Sequence, residues 1–140
     1  MIREDINTPW PDQIRAMIDA NPPLPHAEQL ALCRRWQQQG DEQARNLLAT
    51  STLRFIVQLA LTYRGRGLEL PDLIQEGTLG CMQAIDRFNE TRGYRFISYA
   101  VHWIRQAIQS ALANQVATIR HPLSRIHANV TAIEIRGALE

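Results

Sequence analysis

The segment GYRFISYAVHWIRQAIQSALANQ, residues 93–115, holds four of the chain's nine aromatic side chains: Tyr94, Phe96, Tyr99 and Trp103. It also carries two arginines and three glutamines, and no acid. Each of these types has an interfacial chemistry. A glutamine carboxamide donates and accepts at once, so it can read the edge of a base, and a guanidinium pairs with phosphate through parallel N–H groups. A flat ring offers a stacking surface to a base pulled out of a duplex, worth about 1–3 kcal/mol per base. At about 100° per residue, Ala100, Val101, Ile104, Ala107, Ile108, Ala111 and Leu112 share one arc of a helix. His102, Arg105, Gln106, Gln109 and Ser110 share the other, with Trp103 on its flank. A face that merely meets water would usually carry Glu and Lys as well. The residue types therefore point to nucleic acid, in part single-stranded. The same rings at the same spacing also suit a helix turned towards a core, and spacing alone leaves that alternative open.

The elements that must position these residues read as helices throughout. Proline and glycine punctuate the chain, and no segment alternates as a strand does. The pattern predicts a helix over 11–19, ended by NPPLP, and a second over 26–39, ended by Gly40, with Leu30, Leu32, Cys33 and Trp36 near one side. Asp41 is placed to cap a third, long helix reaching to about residue 64, with Ala44, Leu47, Leu48, Phe55, Ile56, Leu59 and Ala60 inward. RGRGLEL is a turn, Pro71 starts the helix DLIQEGTLGCMQAIDRF, and NETRGY is another turn. The long helix then covers about 95–114, and Pro122 opens a last one. The expected fold class is all-α, a compact multi-helix domain with short loops.

Composition narrows the function. The chain has 140 residues, enough for one domain with a core. No apolar run approaches the roughly 18 residues that span a bilayer, so no membrane is expected. All 15 basic side chains are arginine. Residues 1–90 hold nine Arg and twelve acids, whereas 91–133 hold five Arg and none. An acidic front and a basic back suit two surfaces with two partners. Cys33 and Cys81 have no metal-type spacing and read as small buried thiols in a reducing cytoplasm. The four histidines show no metal spacing beyond a lone His121/His127 pair, six apart across Pro122, the carboxylates form no convergent pair and there is no P-loop. Neither an enzyme, a metal nor a cofactor is expected.

Residues 72–122, DLIQEGTLGCMQAIDRFNETRGYRFISYAVHWIRQAIQSALANQVATIRHP, strongly resemble region 2 of bacterial sigma factors of the sigma-seventy family. Residues 24–67 are similar, less sharply, to the helices before it. The resemblance implies domains at 24–121, covering regions 1.2 and 2, and at 122–140, the start of region 3, with 1–23 unassigned and partly helical. It implies a subunit that binds core RNA polymerase, recognises the promoter's minus-ten element and traps its melted non-template strand. Asp72, Gln75 and Glu76, with Met82, match positions by which the family grips the clamp coiled coil of the largest polymerase subunit; Thr78 falls in the same set, and Leu53 and Ile56 match supporting positions. Gln106 and Gln109 match readers of the upstream duplex edge of the hexamer, with His102 and Arg105 beside them on the helix. Tyr99 and Trp103 match the aromatics that stack where the strands part. Phe88, Arg92, Tyr94, Arg95 and Phe96 match the surroundings of a flipped base, Thr52 and Arg54 match contacts near the downstream end, and Arg120 matches a duplex phosphate contact. An anti-sigma factor is a further partner the resemblance allows.

Some residues depart from the family's primary members. His102 stands where a Trp is usual, Ile97 where a small hydroxyl residue is usual, and Ser110 where an Arg is usual. Asn89 replaces a common acid and Thr78 a common Asn. These favour an alternative or divergent member. The last segment reads as only the start of a further helical region, so a truncated piece of a longer chain is expected, with a naturally short factor as the alternative. Two other classes compete. A helix-turn-helix regulator would bind duplex DNA without polymerase. A polymerase-binding decoy or anti-sigma-like module would keep the acidic patch and bury the rings.

Overall fold

The computed structural model describes residues 12–118, and within them every element is helical. The order is α1 (Asp12–Ala20), α2 (His26–Gln39), α3 (Glu42–Ser51), α4 (Leu53–Leu61), α5 (Leu70–Arg87), a short 3-10 turn (Glu90–Arg92) and α6 (Phe96–Thr118). The all-α reading holds. The expected helix after Pro122, the 122–140 segment and Arg120 lie outside the described residues, as do residues 1–11.

Local chemistry sets the boundaries. Gly40 takes a left-handed φ of 66°, and its N–H closes α2 on the Trp36 carbonyl at 2.9 Å. Asp41 then caps α3, its Oδ1 accepting from the Ala44 N–H at 3.2 Å. The predicted continuous helix from 41 to about 64 is instead two helices, and the break falls at Thr52. There the run Thr50-Ser51-Thr52 turns three hydroxyls back onto the chain. Thr50 Oγ1 donates to the Leu47 carbonyl at 3.1 Å, while Ser51 Oγ and Thr52 Oγ1 each donate to the Leu48 carbonyl at 2.8 Å. Side-chain donors that compete for helical carbonyls weaken the ladder and bend it. Leu47, expected inward, is 47% exposed. The residues α3 buries are Ala44, Leu48, Ala49, Thr50 and Ser51, and Leu47 is not among them although it shares the face of Ala44 and Ser51.

Two cores result. The larger joins Leu32 and Cys33 of α2, Leu48 and Ala49 of α3, Ile56 and Ala60 of α4, Leu73, Cys81 and Ile85 of α5, and Phe96, Ala100, Ile104, Ile108 and Ala111 of α6. The α6 set follows the arc predicted from the sequence. The smaller is the footing of α1, where Ile18 and Ile14 pack on Leu53, Val57 and Leu61 of α4. Burying a side chain of this size contributes about 1.5–3 kcal/mol, so a nine-residue helix holds its place chiefly through those two isoleucines. The long helix runs from Phe96 rather than 95 and four residues past the expected end. Arg95 stays outside it and lends its carbonyl to the Tyr99 N–H at 3.3 Å.

Candidate nucleic-acid interface

The aromatic side chains of the 88–103 segment form one continuous ridge. Phe88 is its centre, with ring centroids 6.0 Å from Tyr94, 5.5 Å from Phe96 and 5.6 Å from Tyr99. Tyr94 stacks on Tyr99 at 5.9 Å and 21°, and Tyr99 meets Trp103 at 6.2 Å. Edge-to-face and offset pairs at such distances add to simple burial. The ridge has a floor and a crest. Phe88 and Phe96 are buried, Tyr99 and Trp103 are half-buried, and Tyr94 is 39% exposed. The two alternatives left open by spacing are thus divided between residues. Phe88 and Phe96 are core side chains. They support Tyr94, Tyr99 and Trp103.

The turn NETRG fixes the crest's entry. Asn89 Oδ1 accepts from the Thr91 N–H at 3.0 Å, and Gly93 takes a φ of 81°, a left-handed value that favours glycine. The chain then reverses, so Tyr94 returns over Phe88.

Charge around the ridge is one-sided. Arg92, Arg95, His102, Arg105, Gln106 and Gln109 are all exposed. The two acids nearest the ridge in sequence are each held by an arginine. Asp86 pairs with Arg45 at 2.8 Å, and Glu90 pairs with Arg34 at 3.2 Å. The Arg87 guanidinium lies 5.2 Å from the Trp103 ring centroid, a cation–π contact that braces the far end of the crest. Sequence reasoning did not select Arg87. It lies on α5, sixteen positions before its ring, and no local spacing signals a contact across two helices.

Thr52 and Arg54 separate. Arg54 is exposed on α4, whereas Thr52 is buried with its hydroxyl committed to Leu48. The residues expected at the polymerase also divide. Asp72, Gln75 and Glu76 lie half-buried along α5, where a partner can reach them. Leu53, Ile56, Thr78 and Met82 are buried, and the Thr78 hydroxyl donates to the Ile74 carbonyl at 2.8 Å. They pack beneath Asp72, Gln75 and Glu76, and for Leu53 and Ile56 this accords with the supporting positions expected of them. Leu53 is covered by α1 and Ile56 abuts Gly77.

Among the described residues, no three His, Cys, Asp or Glu side chains are grouped to hold a metal, and no helix is long and apolar enough to cross a membrane. Burial pushes the Cys81 thiol up to about 12, and burial with the nearby carboxylates of Glu90 and Asp86 pushes Cys33 up to about 11. Both are packing side chains rather than nucleophiles.

The domain is a helical one that puts an aromatic ridge beside exposed arginines and glutamines on one long helix. Residues 48–118 match the family model described as Sigma-70 region 2, and the chain belongs to that family. It is 48% identical over 101 residues to the RNA polymerase sigma factor SigA of Lactococcus lactis subsp. cremoris, a match covering 72% of this chain and 28% of that protein. The RNA polymerase sigma factor SigA of Lactococcus lactis subsp. lactis (strain IL1403) is equally similar, at 48% over 101 residues, covering 72% of this chain and 26% of that protein. The chain thus spans about a quarter of the length of the curated relatives it matches.

Proposed function

We propose that this chain is the part of a sigma factor that binds core RNA polymerase, recognises the promoter's minus-ten element and captures its melted non-template strand. The observation that carries the reading is the ridge itself. Tyr94, Tyr99 and Trp103 stand at the surface on a floor of Phe88 and Phe96, next to exposed Gln106, Gln109 and Arg105 on the same helix. Taking a base out of a duplex costs a few kcal/mol. Stacking on a ring returns about 1–3 kcal/mol per base, so two or three surface rings offset the cost of a short melted stretch. Arg92 and Arg95 flank the crest and suit the backbone of the captured strand, while Arg54 suits its downstream end. Glutamines on the outer arc of α6 suit the last duplex pair. Asp72, Gln75 and Glu76 on α5 suit the clamp coiled coil. No bond is made or broken in this scheme; melting is driven by capture.

The test is fluorescence anisotropy with labelled single strands carrying a minus-ten hexamer: non-template, template and scrambled. Each is measured with and without the polymerase clamp coiled coil. A preference for the non-template strand that Tyr94→Ala and Trp103→Ala each weaken by about tenfold supports capture, since one stacking contact is of that size. Coil binding with no strand preference would instead support a polymerase-binding module without DNA reading.

A further inference from the structure

Tyr63 lies far in sequence from the segment expected to read bases, yet it holds one of the readers. Its hydroxyl oxygen accepts a hydrogen bond from Gln109 Nε2 at 3.1 Å. The tyrosine is itself fixed. It is 9% exposed, its ring belongs to the larger core, and its N–H bonds the Ala60 carbonyl at 3.0 Å. The Arg66 guanidinium lies 5.3 Å from the ring centroid. The turn that carries both residues passes through Gly65 and Gly67, at φ 79° and 118°. It is seated along α6 further on as well, since a Cβ on Gly67 would stand 3.0 Å from Gln115 Oε1.

An exposed glutamine is rich in rotamers, and its amide can turn over, exchanging donor for acceptor. Reading a base edge through two hydrogen bonds needs one arrangement only. A hydroxyl can accept from Nε2 or donate to Oε1, so the bond to core-anchored Tyr63 fixes the glutamine's rotamer and the place of its carboxamide. Here Nε2 is turned towards Tyr63, leaving Oε1 and the second Nε2 hydrogen for a partner.

We infer that Tyr63 is a positioning residue, which orients the Gln109 carboxamide for one base pair at the upstream, duplex edge of the minus-ten element. The inference rests on the reading of Gln109 as a DNA contact given under Proposed function. Tyr63 acts through Gln109 and touches no base.

The experiment uses the full 140-residue chain with core RNA polymerase. Forked probes differ only in the base pair at the upstream edge, with all four pairs tested, and the readout is the ratio of weakest to tightest Kd. Tyr63→Phe keeps the ring and removes only the hydroxyl. It is expected to lower the ratio by about two- to tenfold, the weight of one net hydrogen bond. Gln109→Ala is expected to lower it at least as far, and the double variant no further than Gln109→Ala alone. A wild-type ratio in Tyr63→Phe, with the ratio lost in Gln109→Ala, overturns the inference and leaves the DNA reading standing. Equal weakening of Tyr63→Phe on all four probes marks a role in packing only and also overturns it. A wild-type chain that shows no discrimination, or no binding, overturns the reading of Gln109 and the inference together.

Discussion

Gly80 of α5 packs directly against the backbone carbonyl of Trp103 on α6, with no room for a side chain between them. A Cβ on Gly80 would strike that carbonyl and stand 2.8 Å from the Ala107 Cβ. One turn earlier, a Cβ on Gly77 would come 2.9 Å from Ile56 Cγ2 and 3.3 Å from Ile104 Cγ2. The helix that carries Asp72, Gln75 and Glu76 and the helix that carries Gln106 and Gln109 therefore meet backbone to backbone at Gly80. Trp103 serves both links, with its carbonyl at the crossing and its indole at the end of the ridge.

Gly80→Ala is expected to destabilise the fold by about 1–3 kcal/mol, the usual cost of overpacking. This should occur even though alanine is the better helix former by about 1 kcal/mol. Gly77→Ala should cost less, because the atoms it meets are isoleucine side-chain carbons at 2.9 and 3.3 Å, further off than the carbonyl that faces Gly80. Urea titration followed by helical circular dichroism checks both. A Gly80→Ala midpoint at or above the wild type would refute the close crossing.

Asp86 ties α2, α3 and α5 together. One carboxylate oxygen accepts from Trp36 Nε1 at 2.7 Å and from Arg45 Nε at 3.0 Å, and the other accepts from Arg45 Nη2 at 2.8 Å. The Asp86 side chain is 40% exposed, so water and salt screen the pair. A double-mutant cycle of Asp86→Ala with Arg45→Ala should give a coupling of about 0.5–1 kcal/mol, shrinking as salt rises. A coupling of zero at low salt would remove the tie.

Asp41 should confer acid sensitivity. Hydrogen bonding from Arg35, and then from the Ala44 N–H at the start of α3, holds its carboxyl below the ordinary value of 3.8. A depressed carboxyl stabilises the fold above the unfolded-state value, and this contribution fades as pH falls through the lower, folded-state value. Wild type should therefore lose thermal stability more steeply than Asp41→Asn as pH falls below 3.8. Parallel melting curves for the two proteins across that range would argue against the cap carrying the charge effect.

The thiols should be silent in the native protein. With Cys33 raised to about 11 and Cys81 to about 12, almost no thiolate exists at neutral pH, and both side chains are buried. Thiol-reactive reagents should label neither at pH 7 until urea opens the fold, and Cys81, sealed in the core, should follow global unfolding. Rapid native labelling of Cys81 would mean that the α5–α6 core opens locally.

Much of this protein was legible in its residues. Caps and breakers such as Gly40, Asp41 and Pro71 act within one turn of chain, so helix order could be read from them. The inward stripe of α6, Ala100, Ile104, Ile108 and Ala111, follows from helical period alone, as do the outward Gln106, Gln109 and Arg105. Three things required the tertiary structure. The hydroxyls of Thr50, Ser51 and Thr52 broke a helix that apolar period would have continued, because their competition for carbonyls depends on rotamers the period does not encode. Burial separated Phe88 and Phe96 from Tyr94, and Leu53 and Met82 from Asp72, since how deeply each lies depends on what packs over it and not on its spacing. The contacts of Tyr63 with Gln109, and of Arg87 with Trp103, join positions tens of residues or a whole helix apart. Such pairs exist only once α5 and α6 close on Gly80, and no local rule of sequence encodes that approach.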